Sequence, residues 1–395
     1  MKQEAIVRAI HGTFDEYLYL DNWWLLDVVC ATILGNYVTN GLPIWLAIVG
    51  PPGSAKTVIT ESLRGLGGVY GIGGFTPHTF ASGMRKTKSG PKKVGILEKI
   101  SDRITDGVHV SDGVKFFAFN DFSTLFAMDS GVKSELLAQM RQVYDGHFEW
   151  EWGTGKKMDW RGRVGAVAAS TEEWDSQMSA FRRMGERFIL WREYRPSTIR
   201  PSLRALEQND ATMKTRLEGA MALLDKYEIP DDVDTKRSHN WLAELSEATV
   251  IARTIIPRDR WSKEPLDRAR PESGARLAKQ LNQLMKGLML FRGEDSDHEQ
   301  VRYPIMRAAI GSLPQIRLEL LGELPEAGAT PNELATRLHV HRNVVKRTLE
   351  DLLMLRVLAK AEDSDRIVPH PAMTTFTSQV RDLWAKIQPK ENADV

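Results

Sequence analysis

Cysteine is almost absent: Cys30 is the only one in 395 residues. An internal disulfide framework and any multi-cysteine zinc or iron–sulfur site are excluded, and a single thiol suits a reducing compartment. An excess of one charge is also missing. The 53 Lys and Arg nearly cancel the 52 Asp and Glu, leaving a formal charge of +1, so the chain is neither a histone-like polycation nor an acidic tail protein. Long apolar runs are lacking as well. The longest, Trp23 to Val38, is broken by Asp27 and Asn36 and is too short for a membrane span. The first residues, MKQEAIVRAIHG, carry charge early and lack the apolar segment and cleavage site of an export signal. A cytoplasmic protein with no membrane partner is the expectation.

What remains is the composition of a globular protein. Hydrophobic residues make up 42% and charged residues 27%, enough for a sizeable core and unlike a disordered chain. The length suits two or three domains. Apolar residues recur at helical spacing over 3–39, and Gly41-Leu42-Pro43 ends that run. Ile44–Val49 reads as a short buried strand, followed by a helix from Lys56 to about Gly65. Residues 70–95, rich in Gly, Ser, Thr and Pro, read as loop, and 94–105 as a helix. Phe116–Phe119 and Val164–Ala169 read as two more buried strands. Between them the pattern predicts a helix over 130–145 and a hairpin over Phe148–Trp160 centred on Gly153-Thr154-Gly155. Such alternation implies a parallel sheet with crossover helices, an α/β fold. From about residue 200 the chain reads as helical, over 202–226, 238–256 and 272–291, with connecting segments at 256–274 and 293–300. The expected divisions are a helical segment over 1–43, an α/β core over 44–199, a helical region over 200–300 and a last unit over 301–387, before a frayed tail.

The sharpest motif is Gly50-Pro51-Pro52-Gly53-Ser54-Ala55-Lys56-Thr57. It stands between an apolar strand and a helix. Its backbone N–H groups can surround phosphate oxygens, and the following helix turns its positive end toward the same charge. Lys56 is placed to reach the β- and γ-phosphates of ATP, and Thr57 to hold Mg²⁺. Ala55 replaces the glycine common before the lysine, and its methyl group is tolerable there if the residue is already helical. Phosphoryl transfer also needs a carboxylate at the end of a neighbouring strand. Phe116-Phe117-Ala118-Phe119 ends in Asn120-Asp121. Asn120 can bind a water of Mg²⁺ through its carbonyl while Asp121 polarises the attacking water. Alternatively, Asp121 is the metal carboxylate and the base lies elsewhere, or the pair simply ends the strand in an Asx turn. The third strand ends in Ser170-Thr171, where a hydroxyl, Thr171 before Ser170, can touch the γ-phosphate or the water. In Phe181-Arg182-Arg183-Met184-Gly185-Glu186-Arg187-Phe188 an arginine opens an apolar strand. That is the place of an arginine finger supplied in trans, and Arg187 is favoured over Arg183. Arg276 opens a leucine-rich helix and is a candidate second sensor of the γ-phosphate.

In this order of parts the chain resembles the AAA+ ATPases. More narrowly it resembles the minichromosome-maintenance (MCM) helicases and their phage and mobile-element relatives. The Ala-Lys-Thr ending of the loop is similar to the Ala-Lys-Ser of the MCM and MoxR branches. Asn120-Asp121-Phe122 stands where they have Asp-Glu-Phe. Gly185-Glu186-Arg187-Phe188 resembles their Ser-Arg-Phe finger motif, and Arg276 matches their second-sensor arginine. The resemblance covers about residues 44–292. It implies a three-layer P-loop AAA+ core over 44–199, an all-α lid over 200–300, and a ring, a hexamer, with ATP and Mg²⁺ at the subunit interfaces. Lys56, Asn120, Asp121, Thr171, Arg187 and Arg276 would then be catalytic. Gly50, Pro51, Pro52, Gly53, Ser54, Ala55, Lys56 and Thr57 would bind the nucleotide, with Thr57 and Asp121 on the metal.

Two basic stretches are candidates for DNA. The loop 85–93 holds Arg85, Lys86, Lys88, Lys92 and Lys93 without an acid, and the hairpin tip adds Lys156 and Lys157. In the resembling families a hairpin between these motifs projects into the ring channel, where lysines would track a single strand. Trp150, Trp152 and Trp160 beside the tip read as cross-strand packing. In the last unit, Thr330 caps a helix with Glu333 three residues on, a capping box. A turn at Leu338-His339-Val340-His341 leads to a second helix. Val345, Leu349 and Leu352 fall on one face of it, and Arg342, Asn343, Lys346 and Arg347 largely on the other. Val357–Lys360 and Arg366–Val368 could form a wing tipped by Glu362-Asp363-Ser364-Asp365. The unit resembles winged-helix domains, whose basic helix suits duplex DNA. His339 and His341 read as turn residues. The expected activity is an ATP-driven DNA motor, MCM-like, for replication of a phage, plasmid or mobile element. The rival expectations are a MoxR-like remodelling ATPase and a DNA-binding initiator or regulator that barely hydrolyses ATP.

Overall fold

The computed structural model describes residues 3–82, 94–153, 155–184, 186–194, 199–207, 210–259, 261–262, 264–266, 270–362 and 364–388. The chain divides into two compact units, one of residues 1–234 and 283–301, the other of 235–282 and 302–395. In the first unit the order is α1 (Gln3–Tyr17), α2 (Trp24–Tyr37), β1 (Trp45–Val49), α3 (Lys56–Ser62), β2 (Val69–Ile72), α4 (Ile96–Ile100), β3 (Arg103–Thr105), β4 (Val108–Phe119), α5 (Ser123–Phe126) and α6 (Ser130–Tyr144). There follow β5 (His147–Glu151), β6 (Lys157–Ser170), α7 (Trp174–Met184), β7 (Phe188–Arg192), α8 (Arg200–Leu206) and α9 (Asp210–Met221). The second unit begins with α10 (His239–Arg253). Helices α11 (Ala275–Arg292) and α12 (Glu299–Ile310) have residues in both units. The chain closes with α13 (Gln315–Glu323), α14 (Pro331–Leu338), α15 (Arg342–Met354), β8 (Leu358–Lys360), β9 (Ile367–Pro369) and α16 (Thr374–Ile387).

Seven strands form one sheet in the first unit. Its parallel path runs β2-β4-β6-β1-β7, with β3 antiparallel on β4 and β5 antiparallel on β6. Central strand β1 is buried at every position, as a parallel strand covered on both faces must be. Its five residues are all apolar and carry no turn former. The register aligns the strand ends: Val49 pairs with Ser170 on β6 and with Arg192 on β7, and Phe119 of β4 pairs with Ala168. Gly50, Asn120, Thr171 and Glu193, the residues just past those ends, therefore meet at one edge. This is the expected α/β P-loop core, a parallel sheet with helices around it and a helical C-terminal region, and it agrees with an AAA+ arrangement.

Several elements differ from the sequence reading. The single helix over 3–39 is two helices, because the Asn22 side chain accepts the N–H of Trp24 at 3.1 Å and starts α2 afresh. The helix over 94–105 is only α4. Asp106 and Gly107, both at positive φ (50° and 81°), then turn β3 back on β4 as a tight hairpin. Within the segment read as loop, Val69–Ile72 pairs parallel with Phe116–Phe119 and forms strand β2. The second and third strands begin earlier than their apolar runs, because β4 and β6 extend beyond the core as partly exposed strand. The hairpin is present as β5 and β6, with Phe148 opposite Trp160.

The second unit is mostly helical. Arg317, almost fully buried, anchors it: its guanidinium donates to the carbonyls of Ala252 (2.7 Å) and Thr254 (2.8 Å) and to Asp351 (3.0 Å). Arg258 pairs with Asp351 from another direction at 2.5 Å. The capping box at α14 is formed, with Thr330 Oγ1 accepting from the Glu333 N–H at 3.3 Å and Glu333 accepting from the Thr330 N–H at 2.7 Å. His339 ends α14 in the left-handed region (φ 52°), and the His341 side chain caps α15, so both are turn residues. β8 and β9 pair antiparallel after α15. Helix α16 lies beyond the last expected element and packs on α13. Among the described residues, no helix is long and apolar enough to cross a membrane.

Candidate nucleotide-binding site

The Gly50–Thr57 loop leaves the buried end of β1, and close packing shapes it. A Cβ on Gly50 would lie 2.7 Å from the Glu193 carbonyl oxygen, so only glycine lets the chain pass β7 here. Gly53 turns the loop at φ 82°. Ala55 is not helical, which corrects the condition set for its methyl group. It stands before α3 in the left-handed region, at φ 57°. That conformation costs an L-residue about 1–2 kcal/mol, so the loop holds a strained backbone immediately before its lysine. Strain of this kind persists where the surrounding structure enforces it.

Lys56 is buried, and its ammonium donates to the carbonyls of Gly50 (2.9 Å) and Pro51 (2.6 Å) and to Ser54 Oγ (2.9 Å). Burial pushes its pKa below the ordinary lysine value, while Glu172 and Glu193 pull the other way. The side chain thus folds over its own loop, held by neutral oxygens. A cavity of about 790 Å³ opens against it, within the usual range for small-molecule sites. Residues 52–57 of the loop, Asn120, Asp121, Ser170, Thr171 and Glu193 line one part. Tyr17–Asn22, Tyr194 and Met213 line the rest. Ligands of open α/β sheets bind at such carboxyl strand ends.

The strand β4 end is pinned by Phe122, which is fully buried among Phe119, Phe126, Trp174 and Phe188. That anchor holds Asn120 and Asp121 at the cavity. Asp121 Oδ1 accepts from the Ser123 N–H at 3.0 Å and from the Ser123 hydroxyl. Asp121 therefore forms the Asx turn that starts α5 while also lining the cavity. Asn120 is 9% exposed; its Nδ2 donates to Glu61 at 3.3 Å, and its Oδ1 is buried with no hydrogen-bond partner among the described residues. A buried acceptor left unpaired costs about 1–3 kcal/mol, so this oxygen suits a water or cation held in the cavity. Thr57 is exposed on the same wall. No group of three or more His, Cys, Asp or Glu among the described residues could hold a metal by itself. Mg²⁺, however, needs as few as one or two carboxylates and completes its shell with other oxygens, water and phosphate. Thr57, Asn120 and Asp121 fit that requirement.

The other expected residues are distributed as follows. Thr171 lines the cavity beside Ser170, which is 2% exposed. Arg187 stands immediately before β7, 3% exposed, with Nη2 donating to both Asp145 oxygens at 3.0 Å and its guanidinium over the Tyr144 ring. It does not line the cavity of its own chain. Arg276 lies in the first turn of α11, in the second unit, 3.7 Å from Glu272. Lys156 pairs with Glu98 at 3.0 Å and also donates to the Ser82 carbonyl, and Lys157 pairs with Glu149 at 2.5 Å. Trp160 is fully buried, its indole N–H donating to Ser111 Oγ at 2.8 Å, so it packs across the strands as expected. Arg342, Asn343, Lys346 and Arg347 are all exposed on α15, opposite buried Val345, Leu349 and Leu352. The basic loop 85–93, Thr154, Gly185, Asp363 and the Arg183 side chain lie outside the described residues.

Three carboxylates were not singled out by sequence. Glu61 follows Thr57 by one helical turn, a spacing that places both on one face of α3. Glu172 follows Thr171 directly. Glu193 is brought to the loop only by the pairing of β7 with β1, for which no local signal exists.

No protein-family model matches the chain, and no curated protein matches it. Among solved structures, it is similar to that of NtrX from Brucella abortus in complex with ATP. The two are 14% identical, the match covers 85% of this chain and 69% of that one, and the TM-score is 0.27. A likeness that low carries no argument, and the fold assignment rests on the strand order and the site geometry.

Proposed function

We propose that the chain is a P-loop ATPase of the AAA+ kind that acts on DNA. The observation that carries this reading is the convergence of four strand ends on the Gly50–Thr57 loop, which sets Lys56, Thr57, Asn120, Asp121 and Thr171 around one cavity. Lys56 would exchange the neutral oxygens it now holds for phosphate oxygens, and the loop N–H groups would take the remainder. Mg²⁺, when bound, neutralises charge on the β- and γ-phosphates. Thr57, Asn120 and Asp121 would hold it, while Thr171 orients the γ-phosphate or the attacking water. In the proposed division, residues 44–199 are the ATPase core, 200–300 a lid carrying Arg276, and 301–387 a winged helix. Arg187 would act on a neighbour's nucleotide in a ring.

On this reading the chain is an MCM-like motor, a helicase for a phage, plasmid or mobile element. A single strand would run past Lys156 and Lys157, and duplex would meet Arg342, Asn343, Lys346 and Arg347. One observation favours a second reading. Both hairpin lysines are already neutralised by Glu98 and Glu149, whereas the basic face of α15 is exposed. A DNA-binding regulator or remodelling ATPase needs only the latter. ATP turnover with and without single-stranded DNA decides between them. A motor is stimulated by the strand and loses that stimulation in Lys156→Ala/Lys157→Ala; the regulator is indifferent to both. Lys56→Ala abolishes turnover under either reading, and retained turnover would remove both.

A further inference from the structure

Asn120 poses a problem of charge. The position that in the proposed site should bring a carboxylate to Mg²⁺ holds a neutral amide, and Asp121, next to it, spends Oδ1 on the Ser123 N–H and hydroxyl. The amide, however, is not free to turn. Its Nδ2 donates to Glu61 Oε1 at 3.3 Å. An ionised carboxylate accepts hydrogen bonds and cannot donate them, so only the NH₂ end of the amide can face Glu61. The carbonyl end must then point away from Glu61, and there Oδ1 is buried and has no partner among the described residues. Glu61 also sits one helical turn after Thr57, on the same face of α3.

We propose that Glu61 is a positioning residue of the metal site. It supplies from α3 the negative charge that Asn120 lacks, and it locks the Asn120 amide so that its carbonyl oxygen is presented to Mg²⁺ or to a water of its shell. Together, Glu61 and Asn120 replace a single aspartate: one provides the charge and the other the contact. This rests on the nucleotide site proposed above. It further implies that the charge can be moved from one residue to the other without loss.

The test is a charge swap read by binding, without turnover. Affinity for a fluorescent, non-hydrolysable ATP analogue is measured in excess Mg²⁺ and in EDTA. In Glu61→Gln the gain in affinity conferred by Mg²⁺ should fall about tenfold or more, with the EDTA affinity changed less than about twofold. The double variant Glu61→Gln/Asn120→Asp restores one carboxylate beside one amide and should recover the Mg²⁺ gain to within about threefold of the unmodified chain. Two results overturn the proposal: Glu61→Gln keeping the full Mg²⁺ gain, or the double variant doing no better than Glu61→Gln. A merely structural role for Glu61 would lower affinity in both solutions, and the added carboxylate would not rescue it. Analogue binding that is absent, or unchanged in Lys56→Ala, would instead overturn the nucleotide site itself and this inference with it.

Discussion

At the scale of single residues, the nucleotide loop holds two energetically costly features side by side. Ala55 occupies a left-handed backbone, and Lys56 is buried against neutral oxygens with its pKa depressed. The first cost is separable from function. Ala55→Gly removes the steric penalty of about 1–2 kcal/mol and adds about 0.4–1 kcal/mol of unfolded-state entropy. The variant should therefore gain up to about 1.5 kcal/mol, read as a higher urea midpoint with an unchanged slope. A drop in midpoint would mean that the strain is not there. The second cost has a definite sign with pH. A lysine whose folded pKa is lowered binds its proton less tightly in the folded chain. Its burial therefore opposes folding at neutral pH, and that opposition is relieved as pH rises through the lowered value toward the ordinary 10.5.

At the scale of elements, α14 and α15 show how little local chemistry is needed to aim a helix. Thr330 and Glu333 close the N-terminus of α14 reciprocally, and His339 and His341 shape the turn into α15. Thr330→Ala should cost about 1 kcal/mol, measured by thermal or urea unfolding. The Glu333 carboxylate is held below its ordinary value chiefly by the Thr330 N–H. Its share of stability is therefore present above the ordinary pKa of 4.5 and is lost as pH falls through the lowered one. Unfolding of Glu333→Gln should accordingly differ from that of the unmodified chain at pH 7 and converge with it in acid. The basic face of α15 is independent of that cap. Removal of Lys346 and Arg347 should weaken duplex binding and flatten its salt dependence, by about one slope unit for each phosphate no longer neutralised, with the fold unchanged.

At the scale of the whole molecule, Arg187 states the central question. It is buried and paired with Asp145 in its own chain, away from its own nucleotide cavity. If it completes a neighbour's site in the proposed ring, Lys56→Ala and Arg187→Ala each lack turnover for different reasons. An equimolar mixture would then rebuild intact sites, on the order of a quarter of them if subunits exchange at random. Recovery of turnover on mixing is the expected result. Two dead variants that stay dead together, while the unmodified chain assembles, would confine Arg187 to the structural pair with Asp145.

Sequence alone determined what depends on neighbours along the chain. The apolar run of β1, the glycines and lysine of the loop, the hairpin of β5 and β6 and the capping box of α14 are local devices, and each is where its residues place it. The periodicity over 3–39 hid the break that Asn22 makes, because one side chain bonded to the first N–H of a new helix interrupts no apolar pattern. The strand β2 was hidden because its residues become a strand only by pairing with Phe116–Phe119. Tertiary structure alone decided which carboxylates face the loop. Glu193 arrives through the register of β7 on β1, and Glu61, already on the Thr57 face of α3, meets Asn120 only because β4 lies beside that helix. It also decided that Lys156 is paired with an acid, since Glu98 reaches it from outside the hairpin, whereas Lys157 meets Glu149 across the hairpin itself.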